Sequence, residues 1–360
     1  MQYWLARAQD QRLDRVDWED RLPIPHRIQR TDAVIEDLVL QLRRELMQTS
    51  DLGFYGAEAI QEALRQRGLA AVPSVRTIGR ILERCGALDG RQRVRRPPPP
   101  RGWYLPPVAQ RRAELDSFDL VEGLVIKTGP QVEVLNGVSL HGGLVVSWPY
   151  AASITAKIVT QALLEHWRLW GLPGYAQFDN DTVFQGPHQY ADVLGRVTRL
   201  CLSVGVVPVF VPPREMGFQA MIESYNGQWQ SKVWARFFHD SVTTVQQHSQ
   251  RYVLALRQHR ADRLQAAPRR RPFPQEWRLN WQAPPQGRLI YLRRTDAQGE
   301  LELLGHSYLV DRHWLHRLVR AEVDLRRTHI RFYALRRREP AKQSLLKEVP
   351  YHLPNRRFQD

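Results

Sequence analysis

Between residues 115 and 211 the chain switches repeatedly between two hydrophobic periods, and that alternation restricts its fold more than any other feature. FDLVEGLVI, QVEVLNGVSL and GLVVSW are β-branched and apolar, separated by KTGP and HGG, and read as three consecutive antiparallel strands. ASITAKIVTQALLEHWRLWG has helical spacing and stops at Gly171 and Pro173. YAQFDN reads as a short strand, PHQYADVLGRVTRLCLSVG as a helix and VVPVFV as a strand. EMGFQAMIESYNGQWQSKVWARFF reads as a long helix continuing over about 240–266. The order βββαβαβα predicts a mixed α/β core around a central sheet.

Two Pro- and Arg-rich stretches divide the rest. Residues 89–113 hold seven Arg, one Asp and four consecutive prolines, which forbid helix or central strand and favour an extended basic linker. Trp103 and Tyr104 within it read either as riding on a DNA backbone or as solvated. Residues 267–286 mark a second linker. The predicted organisation is a helical region 1–88, the linker 89–113, the core with its trailing helix 114–266, the linker 267–286 and a small basic β-barrel 287–360. The barrel reading rests on GRLIYLRRTDAQGELELLGHSYLV and HIRFYAL, short strands around a DAQG turn.

In the first region, Ile35, Leu38, Leu42 and Leu46 recur at helical spacing after a capping Asp32. Ile60, Ala63 and Leu64 repeat the pattern before Gly68. Ser74 caps a third helix in which Val75, Ile78, Ile81 and Leu82 face inward and Arg76, Thr77 and Arg80 face outward. This reads equally as a helix-turn-helix or as an ordinary three-helix module.

Lys and Arg number 52 against 37 Asp and Glu, a formal charge of +15, and only five of the bases are Lys. The imbalance is uneven: residues 114–238 carry −3 and the flanks +18. Basic ends suit a polyanion, while the acidic middle keeps carboxylates that would hold cations. Two cysteines exclude a disulfide scaffold and a cysteine zinc cluster. No apolar run is long enough for a membrane span, and the charged N-terminus is no signal peptide, so a cytoplasmic, nucleoid-associated protein is expected.

Three acids sit where such a core would gather them. Asp119 lies inside the first strand among Phe118, Leu120 and Val121, where an unpaired charge is costly. Asp179 ends YAQFDN, at the strand edge where α/β sheets place ligand sites. Glu223 shares a helix face with Asn226 and Gln230. Taken singly, Asp119 reads also as an edge-strand acid, Asp179 as a turn residue and Glu223 as a solvated helix acid, and Asp116 competes with Asp119. Meeting in one cleft, three carboxylates repel unless hard cations, Mg²⁺ or Mn²⁺, lie between them.

YAQFDNDTVFQGP resembles the D-N-G-x-x-F signature of DDE transposases and retroviral integrases, and FQAMIESYNGQWQSK resembles their third-acid helix. VEVLNGVSLHGGLVVSW resembles the strand pair between the first two acids. The N-terminal helices resemble the tandem helix-turn-helix region of insertion-sequence transposases, and the C-terminal strands the barrel of transposases related to phage Mu. The resemblance implies a ribonuclease-H-like core with Asp119, Asp179 and Glu223 as catalytic and metal-binding residues, two Mg²⁺ or Mn²⁺ ions, and DNA strand cleavage and transfer at mobile-element ends. It implies contacts to double-stranded element-end and target DNA through Arg76, Thr77, Arg80, Arg93, Arg95, Arg96 and Lys232, by a homo-oligomer, with no membrane. Departures from the pattern are Asp181 in place of Gly, a longer interval between Asp179 and Glu223, and His141-Gly142 in place of Ser-Arg. An upstream N-terminal piece is expected to be missing. A transposase-derived DNA-binding protein without catalysis is the alternative, and a hydrolytic nuclease of the same fold a third reading.

Overall fold

Three helices, α1 (Ala33–Thr49), α2 (Ala57–Gln66) and α3 (Val75–Arg84), bury Val39, Leu42, Ile60, Leu64, Ile78, Ile81 and Leu82 against one another. The computed structural model describes residues 5, 8–16, 31–88, 101–127, 129–151, 153–187, 190–215 and 217–355. It divides into two compact units, residues 1–50 with 54–92 and residues 51–53 with 93–360, and these helices belong to the first. Asp32 and Ser74 cap α1 and α3 through the amides of Val34 and Thr77. Arg76 and Arg80 are exposed, as expected. Thr77 is half-buried, its hydroxyl 2.9 Å from that of Ser74. Val75, expected inside, is exposed, because the first residue after the cap lies below the packed turn. Arg93, Arg95 and Arg96 lie outside the described residues.

The second unit contains the predicted βββαβαβα order. Its elements are β1 (Leu115–Val125), β2 (Gln131–Ser139), β3 (Val145–Ala151), α4 (Ala156–Trp170), β4 (Tyr175–Phe178), α5 (Arg196–Ser203), β5 (Val207–Phe210) and α6 (Ala220–Trp229). α7 (Val242–His259) follows, then β6 (Arg288–Arg294), β7 (Glu300–Leu303), β8 (His306–Leu309), β9 (Leu318–Asp324), β10 (His329–Ala334) and β11 (Leu345–Pro350). One nine-stranded sheet runs β11-β10-β9-β6-β5-β4-β1-β2-β3. β1 to β3 pair antiparallel, while β4, β5 and β6 continue parallel to β1.

Alternation sorts the side chains onto two faces. Phe118, Ala176, Phe178 and Phe210 pack on one, with Trp167 of α4 and Leu200 of α5. Leu115, Tyr175, Val209 and Val211 pack on the other with Trp103, Tyr104 and Phe218. Gly137 on β2 lets Phe118 close in, since a Cβ there would meet its ring at 2.6 Å.

Several expectations change here. The C-terminal strands do not pair as a self-contained barrel: β6 bonds in parallel to β5 through Val209–Ile290 and Phe210–Tyr291, and β9, β10 and β11 extend the same sheet. Leu289 to Leu292 are all buried, a pattern that needs neighbours on both sides and both faces. Residues 267–286, read as a linker, are a strap packed on the core through Phe273, Trp277, Leu279 and Trp281 and bridged to Leu172 by Arg271. Trp103 and Tyr104 are buried rather than solvated; Arg320 and Gln343 donate to their carbonyls. The helix expected over 187–205 covers only 196–203, because Gly195 seats against Gly186 and Asp192 turns left-handed at φ 59°. The long third-acid helix breaks into α6, a π-helical turn Gln230–Trp234, and α7.

Candidate functional site

Strand register brings the first two acids together. β1 and β4 pair as Leu115–Tyr175, Asp116–Ala176 and Ser117–Gln177. Continued two residues, that register runs Asp119 toward Asp179, which directly follows β4, and the Asp179 charge reaches Asp119. Neighbouring strands lie about 4.8 Å apart, and a two-residue step returns to the same face. The Ser117 and Gln177 side chains already touch on that face, Gln177 Nε2 donating to Ser117 Oγ at 3.3 Å.

The third acid arrives on α6. Asn226, one turn beyond Glu223, donates to Asp119 Oδ2 at 2.8 Å and accepts at Oδ1 from Asn136 Nδ2 at 2.9 Å. Asn136 is the β2 partner of Asp119. Ser147 on β3 and Tyr225 on α6 add a hydroxyl contact of 2.7 Å. This amide chain docks the helix on the sheet. Glu223 itself is exposed, and its charge reaches Asp119.

The electrostatics are those of crowded carboxylates. Burial, then the charges of Asp179 and Glu223, push Asp119 up to about 7 against the hydrogen bond from Asn226. Burial also raises Asp179, with the charges of Asp181 and Glu122 adding to it and the amide of Asp181 opposing at 3.0 Å. Asp181 faces away: its carboxylate accepts from Val183 N at 2.8 Å and caps the one-turn helix Thr182–Gln185. Asn180, between them, donates to Val211 O and accepts from Arg293 of β6, so the acid-bearing turn is held from two strands.

Asp116 is spoken for elsewhere. It is 1% exposed, accepts from Ser139 Oγ at 2.7 Å and pairs with Arg270 of the strap, Nη1 to Oδ2 at 2.9 Å. Burial would raise its carboxyl, but Arg270 and His166 outweigh this and hold it well below the usual range. Asp119, not Asp116, is therefore the β1 acid beside Asp179. His141 and Gly142 give their amides to the buried Glu114, which makes that loop a structural clamp. Lys232 is half-buried in the π-helical turn, where burial and then Arg236 lower its pKa.

Of the residues singled out from the sequence, the fold gathers Asp119, Asp179, the helix bearing Glu223, and Asn226; Asn136, Asn180 and Arg293, which hold them, were not singled out. An Asn in the middle of the β-branched run VEVLNGVSL was the available signal for Asn136. For Arg293 there was none.

The site's donors suit a hard divalent cation. They are carboxylate and amide oxygens, and the two adjacent acids bind protons more tightly than usual because burial and the charges of neighbouring acids outweigh the hydrogen bonds they accept. Among the described residues no three carboxylate, imidazole or thiol groups stand as a preassembled cation cage.

No family model matches the chain, and no curated protein does. Solved structures do. A chain of the simian T-cell lymphotropic virus intasome in complex with PP2A regulatory subunit B56 gamma aligns over 72% of this chain and 84% of its own, at 14% identity and TM-score 0.36. The catalytic core domain of BIV integrase aligns over 41% and 97%, at 15% identity and TM-score 0.31. The HTLV-2 integrase catalytic core domain in complex with magnesium aligns over 37% and 81%, at 14% identity and TM-score 0.28. Likeness this low carries no argument.

Proposed function

We propose that the chain is a DNA strand-transferring phosphotransferase of the DDE transposase and integrase type, built on a ribonuclease-H-like core. The observation that carries the reading is the parallel β1–β4 register, which runs Asp119 toward Asp179 so that the Asp179 charge reaches it, with the Glu223 helix docked on Asp119 through Asn226. Strands β1 to β5, in the order 3-2-1-4-5, support it. Asp119 and Asp179 would hold Mg²⁺ or Mn²⁺ between them, and Glu223 would complete one site. The chemistry supplied when two ions are bound is activation of an attacking oxygen and stabilisation of the leaving oxygen in an in-line displacement. The protein's own share is positional: Asn226, itself held by Asn136, bonds and orients the Asp119 carboxylate, while the amide of Asp181 bonds that of Asp179 and Arg293 with Asn180 hold the turn that carries it. No covalent protein intermediate is needed. A homo-oligomer holding two DNA ends fits this chemistry.

Asp179→Ala should abolish metal-dependent cleavage and strand transfer on duplexes carrying the flanking ends, assayed with Mn²⁺, yet leave DNA binding intact. Full activity in that variant would remove Asp179 from the site. The exposed Arg76 and Arg80 on α3, with Thr77 beside them, are the proposed base-reading face. Arg76→Ala with Arg80→Ala should cost roughly 1–3 kcal/mol per lost base contact and relax end selection. Unchanged discrimination between end and random duplexes in a competition assay would count against a reading role.

A further inference from the structure

The parallel strands β4, β5 and β6 have two ends. Asp179 follows their carboxyl end. The opposite end, where Val207 and Arg288 begin β5 and β6, is ringed by arginines instead. Two open clefts of about 460 and 560 Å³ meet there and share Leu202, Gly205, Gln286, Gly287 and Arg326. Their walls are the end of α5, the strap and the β9–β10 turn. Given a rise of about 3.3 Å per residue, the four-residue β4 and β5 set this groove roughly 13 Å from the acids.

Six arginines line the groove, and three of them already have partners. Arg288 pairs with Glu322, Arg331 with Glu348, and Arg199 donates to strap carbonyls. The acids on the lining are consumed as well. Glu322 also takes Arg320, and Asp324 accepts the backbone amides of Arg326 and Arg327. Arg278, Arg326 and Arg327 are exposed and have no ion-pair partner among the described residues. The wall behind them is fixed, since Arg271 donates to Gly205 O and Trp277 Nε1 to Ser203 O. The rings are committed to packing too: Trp281 lies under the Arg196 guanidinium at 4.6 Å, and Trp277 is edge-on to Phe273. A cluster of exposed guanidiniums beside rings already committed to packing suits phosphates rather than bases.

We propose that this groove, at the sheet end opposite the acid pair, is a second and sequence-independent binding site for the backbone of duplex DNA. The choice of DNA among polyanions rests on the function proposed above; the groove itself does not.

The test is a salt titration of binding by the full chain to a duplex of unrelated sequence, without divalent cation. Each phosphate neutralised contributes about 0.9 to the slope of log affinity against log salt. Replacing Arg278, Arg326 and Arg327 together by Ala should make the slope shallower by roughly 2–3, and each single replacement by about 1. The triple lysine variant should recover the slope. Melting temperatures matching the parent exclude unfolding as the cause, and the single variants serve if the triple one does not fold. An unchanged slope, or a lysine variant as weak as the alanine one, overturns the proposal. The readout involves no cleavage, so a parent protein that binds with the expected slope but never cuts DNA would sink the enzymatic reading and leave the groove standing.

Discussion

Asp119→Asn should abolish metal-dependent DNA cleavage and, at pH 8 without metal, raise the melting temperature. Losing a metal-binding carboxylate removes several kcal/mol of transition-state stabilisation, a rate loss of roughly 10³-fold or more. The gain in stability has a separate origin. Asp119 is held up to about 7 by burial and by its acidic neighbours, against an ordinary value of 3.8. The folded protein therefore binds this proton more tightly than the unfolded chain. Stability falls as pH rises from about 4 to about 7 and stays low above it. The amide keeps the shape, can still meet Asn226, and removes the charge. Allowing for the solvent that reaches this half-open cleft, the gain is roughly 1–2 kcal/mol, a few degrees for a unit of this size. Mg²⁺ or Mn²⁺ should raise the melting temperature of the parent and much less that of the variant. Thermal melts at pH 5 and pH 8, with and without Mn²⁺, separate the effects. A variant less stable than the parent at pH 8 would show that the Asp119 charge is satisfied within the protein, and the case for a cation there would fail.

The acids stood out in the sequence for the same reason that this prediction separates activity from stability. A carboxylate inside an apolar strand and another at the end of a short one violate the local pattern, and such violations collect where function outweighs stability. Asn226 was legible by helical spacing from Glu223. What escaped the sequence were the partners that decide each acid's role. Asp116 and Asp119 look alike in LDSFDLVEG, and the residue that distinguishes them, Arg270, is 154 positions away in a stretch whose composition reads as linker. Trp103 and Tyr104 were obscured in the same way by the arginines and prolines around them. Strand propensity marked β6 and β10 but said nothing of the β5–β6 pairing that merges the C-terminal strands into the core sheet. β9 and β11 went unread because Arg320, Glu322 and Lys347 interrupt their apolar runs, each finding a partner only in the folded protein.

Arg270→Met should be among the most destabilising single changes in the second unit, at roughly 3–5 kcal/mol and about 10 °C in melting temperature. Arg270 bonds both oxygens of Asp116 in a site where that carboxylate is 1% exposed. Methionine fills similar volume but strands the charge beside Ser139 and a His166 whose pKa burial lowers. Adding Asp116→Asn should restore much of the loss, because a neutral amide can still meet Ser139. The pH dependence identifies the cause. In the parent, the depressed Asp116 carboxyl contributes stability that is present above the unfolded value of 3.8 and lost as pH falls through the lower folded value. In the variant the stranded carboxyl gains affinity for a proton, so the gap between the two proteins should narrow as pH drops from 7 toward 4. A gap independent of pH would assign the loss to the packing of the Arg270 stem instead. The double variant also bears on the chemistry. If Asp119 is the first acid, it should cut DNA at the parent's rate below its melting temperature; if Asp116 were, it would be inactive however well it folds.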